Sequence, residues 1–182
     1  MRGPGSAPRL DAALSAAAAV FAAALATQLP AAPYHGTPPE VVTAMLELAA
    51  VRAGDVVYDL GCGDGRIVIA AVRTPGVRGV CVELDPARLR WARDAAAEAG
   101  VAERIRFVQG DLFEVPIADA TVVALYLMRP ANLKLRPRLQ RELRPGARVV
   151  SQTFDMGNWE PDRSITAGQP PKTIYLWTVK GP

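Results

Sequence analysis

One histidine and two cysteines among 182 residues leave this chain short of the usual metal ligands, and each scarcity removes a class of function. A lone histidine, His35, has no partner with which to hold a metal, so no metal site is expected. Cys62 and Cys81 have no C-x-x-C spacing, which excludes a cysteine zinc cluster and thioredoxin-like chemistry; both are expected to be reduced, small packing residues, a disulfide between adjacent strands being the lesser reading. No Gly-Lys pair is followed by a hydroxyl residue, so the chain has no P-loop and no sign of a nucleoside triphosphate. Charge is modest as well: 21% of residues are charged and the net charge of +3 neither demands nor excludes an anionic partner. With 50% hydrophobic residues the chain has the composition of a folded protein, and its length suits a single domain.

What the chain does have is the run Val56-Val57-Tyr58-Asp59-Leu60-Gly61-Cys62-Gly63-Asp64-Gly65-Arg66, a buried-strand pattern joined directly to a glycine-rich turn. Glu83 closes the next apolar run. Glycines at alternate positions let the backbone turn sharply and approach a ligand, and an acid at the next strand end can accept hydrogen bonds from ribose hydroxyls. A dinucleotide fingerprint requires a third glycine where Arg66 stands, so that motif fails. The remaining pattern, D-x-G-x-G-x-G with an acid closing the next strand, resembles motif I of class I S-adenosylmethionine methyltransferases. That resemblance implies S-adenosyl-L-methionine as cofactor.

The rest of the chain alternates in period. Thr37-Pro38-Pro39-Glu40 reads as a helix start, with Thr37 as N-cap and Glu40 closing a capping box. Strands are expected at 56–60, 79–83, 105–109, 121–127, 148–153 and 173–179, and helices at 66–73, at 86–99 behind the cap Asp85, and at 130–143, where Pro137 complicates the start. Strands alternating with helices predict an α/β, Rossmann-like, doubly wound and mostly parallel sheet, with one of seven strands missing or irregular after Asp155. The glycine turn, Glu83, Asp111 and Tyr126 all fall at carboxyl ends of strands, where such sheets bind ligands.

From Pro33 to Val179 the chain resembles the small seven-strand methyltransferases that modify protein lysines. That group includes the mitochondrial enzymes acting on the ATP-synthase c-subunit and the adenine nucleotide translocase, with many prokaryotic relatives. The likeness rests on Pro33-Tyr34 with Thr37-Pro38, on the glycine motif, on Val82-Glu83-Leu84-Asp85, on Gly110-Asp111-Leu112, on Leu125-Tyr126-Leu127 with Asn132-Leu133, and on Phe154-Asp155-Met156 with Trp159. It implies that Asp59, Gly61 and Gly63 bound the methionine part of the cofactor, that Glu83 with Leu84 holds the ribose, that Asp111 and Leu112 flank the adenine, and that Tyr34 and Thr37 close over the site. Where relatives read Pro-Tyr-Val-Pro-Thr-Pro, this chain has Gly36 in place of a proline, and a looser loop is expected. The implied acceptor is a lysine in a protein substrate, including one embedded in a membrane; no nucleic-acid partner is expected, because the segment Leu125-Tyr126-Leu127-Met128-Arg129-Pro130 lacks the Asn/Asp-Pro-Pro-Tyr turn of base methyltransferases.

Two residues at expected strand ends are the candidates for catalysis, Tyr126 for positioning and Asp155 for deprotonating the acceptor. Each has a plainer reading, Tyr126 as a core aromatic and Asp155 as the cap of a turn before Gly157. Trp159 and Trp177 are expected to pack, with a substrate groove at Trp159 as the other reading. Between Arg129 and Arg148 seven basic residues face a single acid, Glu142, which describes either a solvated helix face or a surface for anionic lipid or acidic protein. A quinone or lipid methyltransferase and a non-catalytic cofactor-binding protein would share every cofactor residue, and both stay open. Residues 1–33 form a separate segment before the domain at 34–182. Its alanine-rich run suits a signal peptide, an anchor over residues 10–29, or an additional helix. A cytoplasmic, membrane-associated location and an exported form both fit that run, although the cofactor is made in the cytosol.

Overall fold

The computed structural model describes residues 36–181, within a unit that begins at His35; the expectations for residues 1–33, Tyr34 and His35 lie outside the described residues. Strand β1 (Val56–Leu60) is buried along its whole length, as a run apolar but for Asp59 requires when helices cover both faces of a parallel sheet. Around it the sheet is completed by β2 (Arg78–Glu83), β3 (Ile105–Gln109), β4 (Val122–Leu125), β5 (Arg148–Gln152), β6 (Arg163–Ala167) and β7 (Lys172–Thr178), in the order β3-β2-β1-β4-β5-β7-β6. The first five are parallel, and β7 runs antiparallel between β5 and β6. The doubly wound, mostly parallel sheet is as expected, but no strand is missing after Asp155: β6 and β7 both form and bring the sheet to seven strands.

Alternation along the strands divides the core in two. Val57, Cys81, Ala124 and Val150 face helices α1 (Pro39–Leu48), α2 (Arg66–Val72) and α3 (Pro86–Glu98), whereas Tyr58, Val123, Leu125 and Val149 face α4 (Arg129–Glu142) through Leu135 and Leu139. Trp177 is fully buried in the second layer, its Nε1 donating to the Trp159 carbonyl at 2.7 Å with the two rings 5.8 Å apart. Filling its place with alanine would cost about 3–5 kcal/mol.

Several expectations change. Helix α1 starts one residue late: Pro38 occupies the N-cap, its carbonyl accepting from Val41 and Val42, and Thr37 caps nothing. The cause is local: Pro39 pushes Pro38 out of the helical region, to ψ of 146°, while Arg66 Nη1 donates to the Thr37 carbonyl at 2.9 Å. Strand β4 stops at Leu125, the last position opposite both Leu60 and Ser151, so Tyr126 to Met128 form the connection to α4. Pro137 lies inside α4, on its exposed side, where water can serve the carbonyl that the missing N–H leaves open. The cysteines are not reduced packing residues: Cys62 and Cys81 form a disulfide, with Cα atoms 5.4 Å apart. Their meeting follows from the register, because Asp59 lies opposite Cys81 and the amides of Gly61 and Cys62 both fold back onto the Val82 carbonyl, at 2.8 and 3.0 Å.

Candidate active site

The turn after β1 is built by backbone that only glycine adopts readily: Gly61, Gly63 and Gly65 have φ of 80°, 56° and 77°. Gly65 ends it as the N-cap of α2 and offers that helix no side chain. Asp59 supplies the missing acceptor from beneath, taking a hydrogen bond from the Val68 amide in the first turn of α2. Its other oxygen, Oδ2, is buried without a partner. Burial pushes this carboxyl up to about 7; Asp64 and Glu83 push it the same way, and only the Val68 bond opposes them. A buried carboxylate with an orphaned oxygen favours a cationic ligand group.

Glu83, at the end of β2, is 7% exposed and pins both sides of the crevice. Its Oε2 accepts from the Gly63 amide and its Oε1 from the Asp85 amide, each at 3.0 Å. A carboxylate has about four acceptor positions, so two of them still serve a diol. Next to it Leu84 is 67% exposed, an apolar side chain set on the rim of the crevice. Asp111 and Leu112 follow β3 on the same rim: Asp111 Oδ1 accepts from the Phe113 amide at 2.8 Å, and the Leu112 carbonyl accepts from Arg138 at 2.9 Å. Asp59, Gly61, Gly63, Glu83, Leu84, Asp111 and Leu112 thus gather at the carboxyl ends of β1, β2 and β3.

Thr37 joins them through Arg66, a residue that enters the sequence pattern only as a broken dinucleotide motif. Arg66 bonds Asp64 through Nε at 2.9 and 3.0 Å while reaching the Thr37 carbonyl, and its guanidinium lies where a Cβ on Gly36 would sit 2.4 Å away. Of the loop expected to be loose, the described residues Gly36 and Thr37 are held against the glycine turn, and a glycine at 36 leaves room for the guanidinium.

Tyr126 stands half-buried at the exit of β4, between the end of β1 and that of β5, with Met128 51% exposed two residues on. Asp155 accepts from the Gly157 amide at 2.7 Å and from Arg129 Nε at 3.1 Å, and these bonds, the Gly157 one foremost, hold its carboxyl below the usual range. This is the turn-capping arrangement; a carboxylate so stabilised is a weak base. Behind it Asn132, fully buried on α4, donates to Ser151 Oγ at 3.1 Å and to the Phe154 carbonyl at 3.0 Å, fixing the chain after β5. The basic stretch is largely spent internally: Arg136 donates to the Met156 carbonyl, Arg138 to Leu112 and Glu142, and Arg148 to the carbonyls of Ala49 and Ala50 and to Asp55. Trp159 borders a surface cleft with Gln140, Asn158, Glu160, Val179 and Lys180, away from the glycine turn. No cluster of metal ligands occurs among the described residues.

The orphaned oxygen of Asp59, the glycine backbone, the double-ended Glu83 and the exposed Leu84 together fit an adenosine carrying a cationic amino-acid tail. Comparison with known proteins agrees. Residues 59–163 match the family model described as the ANTKMT methyltransferase domain. The chain is 44% identical to a protein-lysine N-methyltransferase of Saccharolobus islandicus over 83% of its length and 96% of that protein. It is 34% identical to the adenine nucleotide translocase lysine N-methyltransferase of Mus musculus over 82% of its length, and there it spans 64% of the longer relative. Among solved structures, an RNA methyltransferase from Salinibacter ruber in complex with S-adenosyl-L-homocysteine is 54% identical, with a TM-score of 0.78 over 81% of this chain and 95% of that one.

Proposed function

Because this chain belongs to the ANTKMT methyltransferase family and is an S-adenosylmethionine-dependent methyltransferase, we propose that its acceptor is the side-chain amine of a lysine in a protein substrate. The observation that carries this reading is the exit of β4, where the half-buried Tyr126 is followed by Leu127 and the half-exposed Met128. An apolar collar around one hydroxyl suits the aliphatic stem of lysine and strips water from its amine.

The cofactor supplies an electrophilic methyl group; the protein's part is to align and desolvate the acceptor. Lysine must first lose its proton, and from a reference pKa of about 10.4 holding it neutral at pH 7 costs roughly 4–5 kcal/mol. The collar lowers that cost by disfavouring the ammonium form. Tyr126 positions the neutral amine through its hydroxyl. Asp155 is better read as an anchor for Arg129 and the Gly157 turn than as the base, because both bonds stabilise its ionised form; the Asp155→Asn variant decides between the two roles.

A nucleic-acid acceptor is the reading suggested by the Salinibacter ruber protein. Against it stand the absence of an Asn/Asp-Pro-Pro-Tyr turn after β4 and the engagement of most guanidinium groups between Arg129 and Arg148 by this chain's own carbonyls and carboxylates. We propose a membrane-associated enzyme on the cytoplasmic side, from the apolar composition of residues 10–29 for the association and the cytosolic origin of the cofactor for the side; cell fractionation with the full chain, and again without residues 1–33, tests this. The acceptor is tested with radiolabelled S-adenosylmethionine and a lysate of the source cells, label being sorted into protein, RNA and lipid, with Glu83→Ala as control. Acid-stable methyl-lysine in a discrete protein band is the expected result. Label in RNA or in the organic extract would replace the lysine reading, and cofactor binding without any label would end it.

A further inference from the structure

Two neighbouring residues at the carboxyl end of β5 carry buried polar atoms that neither the fold nor the cofactor crevice uses. Gln152 is fully buried, yet neither its Oε1 nor its Nε2 has a hydrogen-bond partner, and the buried Oγ1 of Thr153 has none either. Thr153 also holds φ at 69°, a left-handed conformation that a β-branched residue adopts only under constraint. The main chain here is fully occupied: the Gln152 carbonyl accepts from the Phe154 amide at 2.8 Å, and the Thr153 amide donates to the Thr173 carbonyl at 2.7 Å. The turn therefore stands without the side chains. Leaving a primary amide unpaired in the interior is costly, and such groups are rare unless something else pairs with them.

The sheet register says where that something enters. Ser151 is the Cα partner of Leu125, so Gln152 comes next to Tyr126 just past the end of the ladder. By alternation Gln152 shares its face of the sheet with Val150, Ala124 and Asp59, the face of the glycine turn. Asn132, Ser151 and Phe154 fix the chain from the opposite face. The unpaired amide is thus held at the same edge of the sheet as the cofactor crevice, one strand beyond Tyr126.

We propose that Gln152 binds the acceptor amine, its Oε1 accepting an N–H of the neutral lysine and so turning the nitrogen lone pair toward the methyl group, with the Thr153 hydroxyl as a second contact. This rests on the amine reading given above. As the nitrogen–carbon bond forms and the carbon–sulfur bond breaks, the positive charge passes from sulfur to nitrogen, and the resulting ammonium loses its proton to solvent. An amide oxygen suits both stages, because it accepts from the neutral amine and from the charged product alike.

Sinefungin, a cofactor analogue with an amine-bearing carbon in place of the methylsulfonium, places a nitrogen at the reaction centre without any protein substrate. Calorimetry on the full chain should give wild-type protein a preference for sinefungin over S-adenosylhomocysteine of about tenfold, the worth of one hydrogen bond to a charged group. Gln152→Leu should bring that ratio to about one with S-adenosylhomocysteine affinity unchanged, and Gln152→Glu should keep it, as an acceptor of the same reach. Wild-type protein without the preference, or Gln152→Leu protein that retains it, would overturn the proposal. Should Gln152→Leu fail to fold, Gln152→Glu is read alone, and a preference below that of wild type would count against the assignment. The probe needs no acceptor substrate, so an error in the lysine reading shows in the labelling experiment and leaves this one interpretable. On a labelled protein substrate, Gln152→Leu should lower kcat at least about tenfold with cofactor affinity intact, a split that a purely structural residue would not produce.

Discussion

The Gly63 amide donates to Glu83 Oε2 at 3.0 Å, across twenty residues of sequence, so one carboxylate both shapes the glycine turn and faces the crevice. Removing it takes away the mooring of the loop together with the ribose acceptor. Glu83→Ala should weaken S-adenosylmethionine binding by about 100-fold or more, from two charge-assisted hydrogen bonds at roughly 1.5–3 kcal/mol each. Glu83→Gln, which keeps an acceptor, should lose less. Isothermal calorimetry separates the two, and equal affinities in both variants and wild type would remove Glu83 from the site.

Asp59 makes the cofactor site sensitive to pH. Its carboxyl rises from 3.8 to about 7, chiefly through burial. A carboxyl that titrates higher in the folded than in the unfolded chain binds its proton preferentially when folded, so it favours folding at low pH and loses that effect as pH rises through this window. The unliganded protein should lose stability between pH 4 and pH 8, by at most about 4 kcal/mol from this group. Cofactor affinity should move oppositely, because the cationic tail favours ionised Asp59 and binding should tighten as pH passes 7. Asp59→Asn should flatten both profiles, as thermal melts and calorimetry across pH would record.

The Cys62–Cys81 disulfide joins the glycine turn to β2 across 19 residues. Closing a loop of that length contributes about 3 kcal/mol, so reduction, or Cys81→Ser, should lower the melting temperature by roughly 6–12 °C. Alkylation followed by mass spectrometry gives the direct check: both thiols should resist labelling until reductant is added.

Asp155 and Tyr126 should part company in kinetics. Asp155→Asn should leave the acid limb of the kcat–pH profile where it is and cost only about 1 kcal/mol of stability, since the Arg129 pair is largely solvated. Tyr126→Phe should lower kcat about tenfold or more with unchanged cofactor affinity. A lost acid limb in Asp155→Asn would return the deprotonating role to that residue.

The cofactor half of the site could be read from the chain because its signals are local: three glycines demand positive φ within five residues, and a run apolar but for Asp59 marks the strand that delivers them. The acceptor half could not. In sequence Gln152 is the polar end of an ordinary strand, and only the register of β5 against β4 brings it beside Tyr126. Arg66 shows there as a missing third glycine, although its long reach is what holds Thr37 and fills the space beside Gly36. Strand β6 leaves little trace because Arg163-Ser164-Ile165-Thr166-Ala167 has one large apolar residue, the pattern of an edge strand that needs only one packed face. The disulfide is likewise invisible, since nineteen residues of separation say nothing until two strands are adjacent.

That edge strand has a further effect. β6 and β3 are the two margins of the sheet, and each would offer a neighbouring molecule an open row of backbone donors and acceptors. Arg163, Ser164 and Thr166 line one margin and Arg106 and Gln109 the other, all of them exposed. Zipping a second copy onto either margin would bring like-charged arginines together and strip water from hydroxyls and amides. Both margins of the sheet are thus polar and charged, the composition that disfavours the pairing of one sheet edge with another.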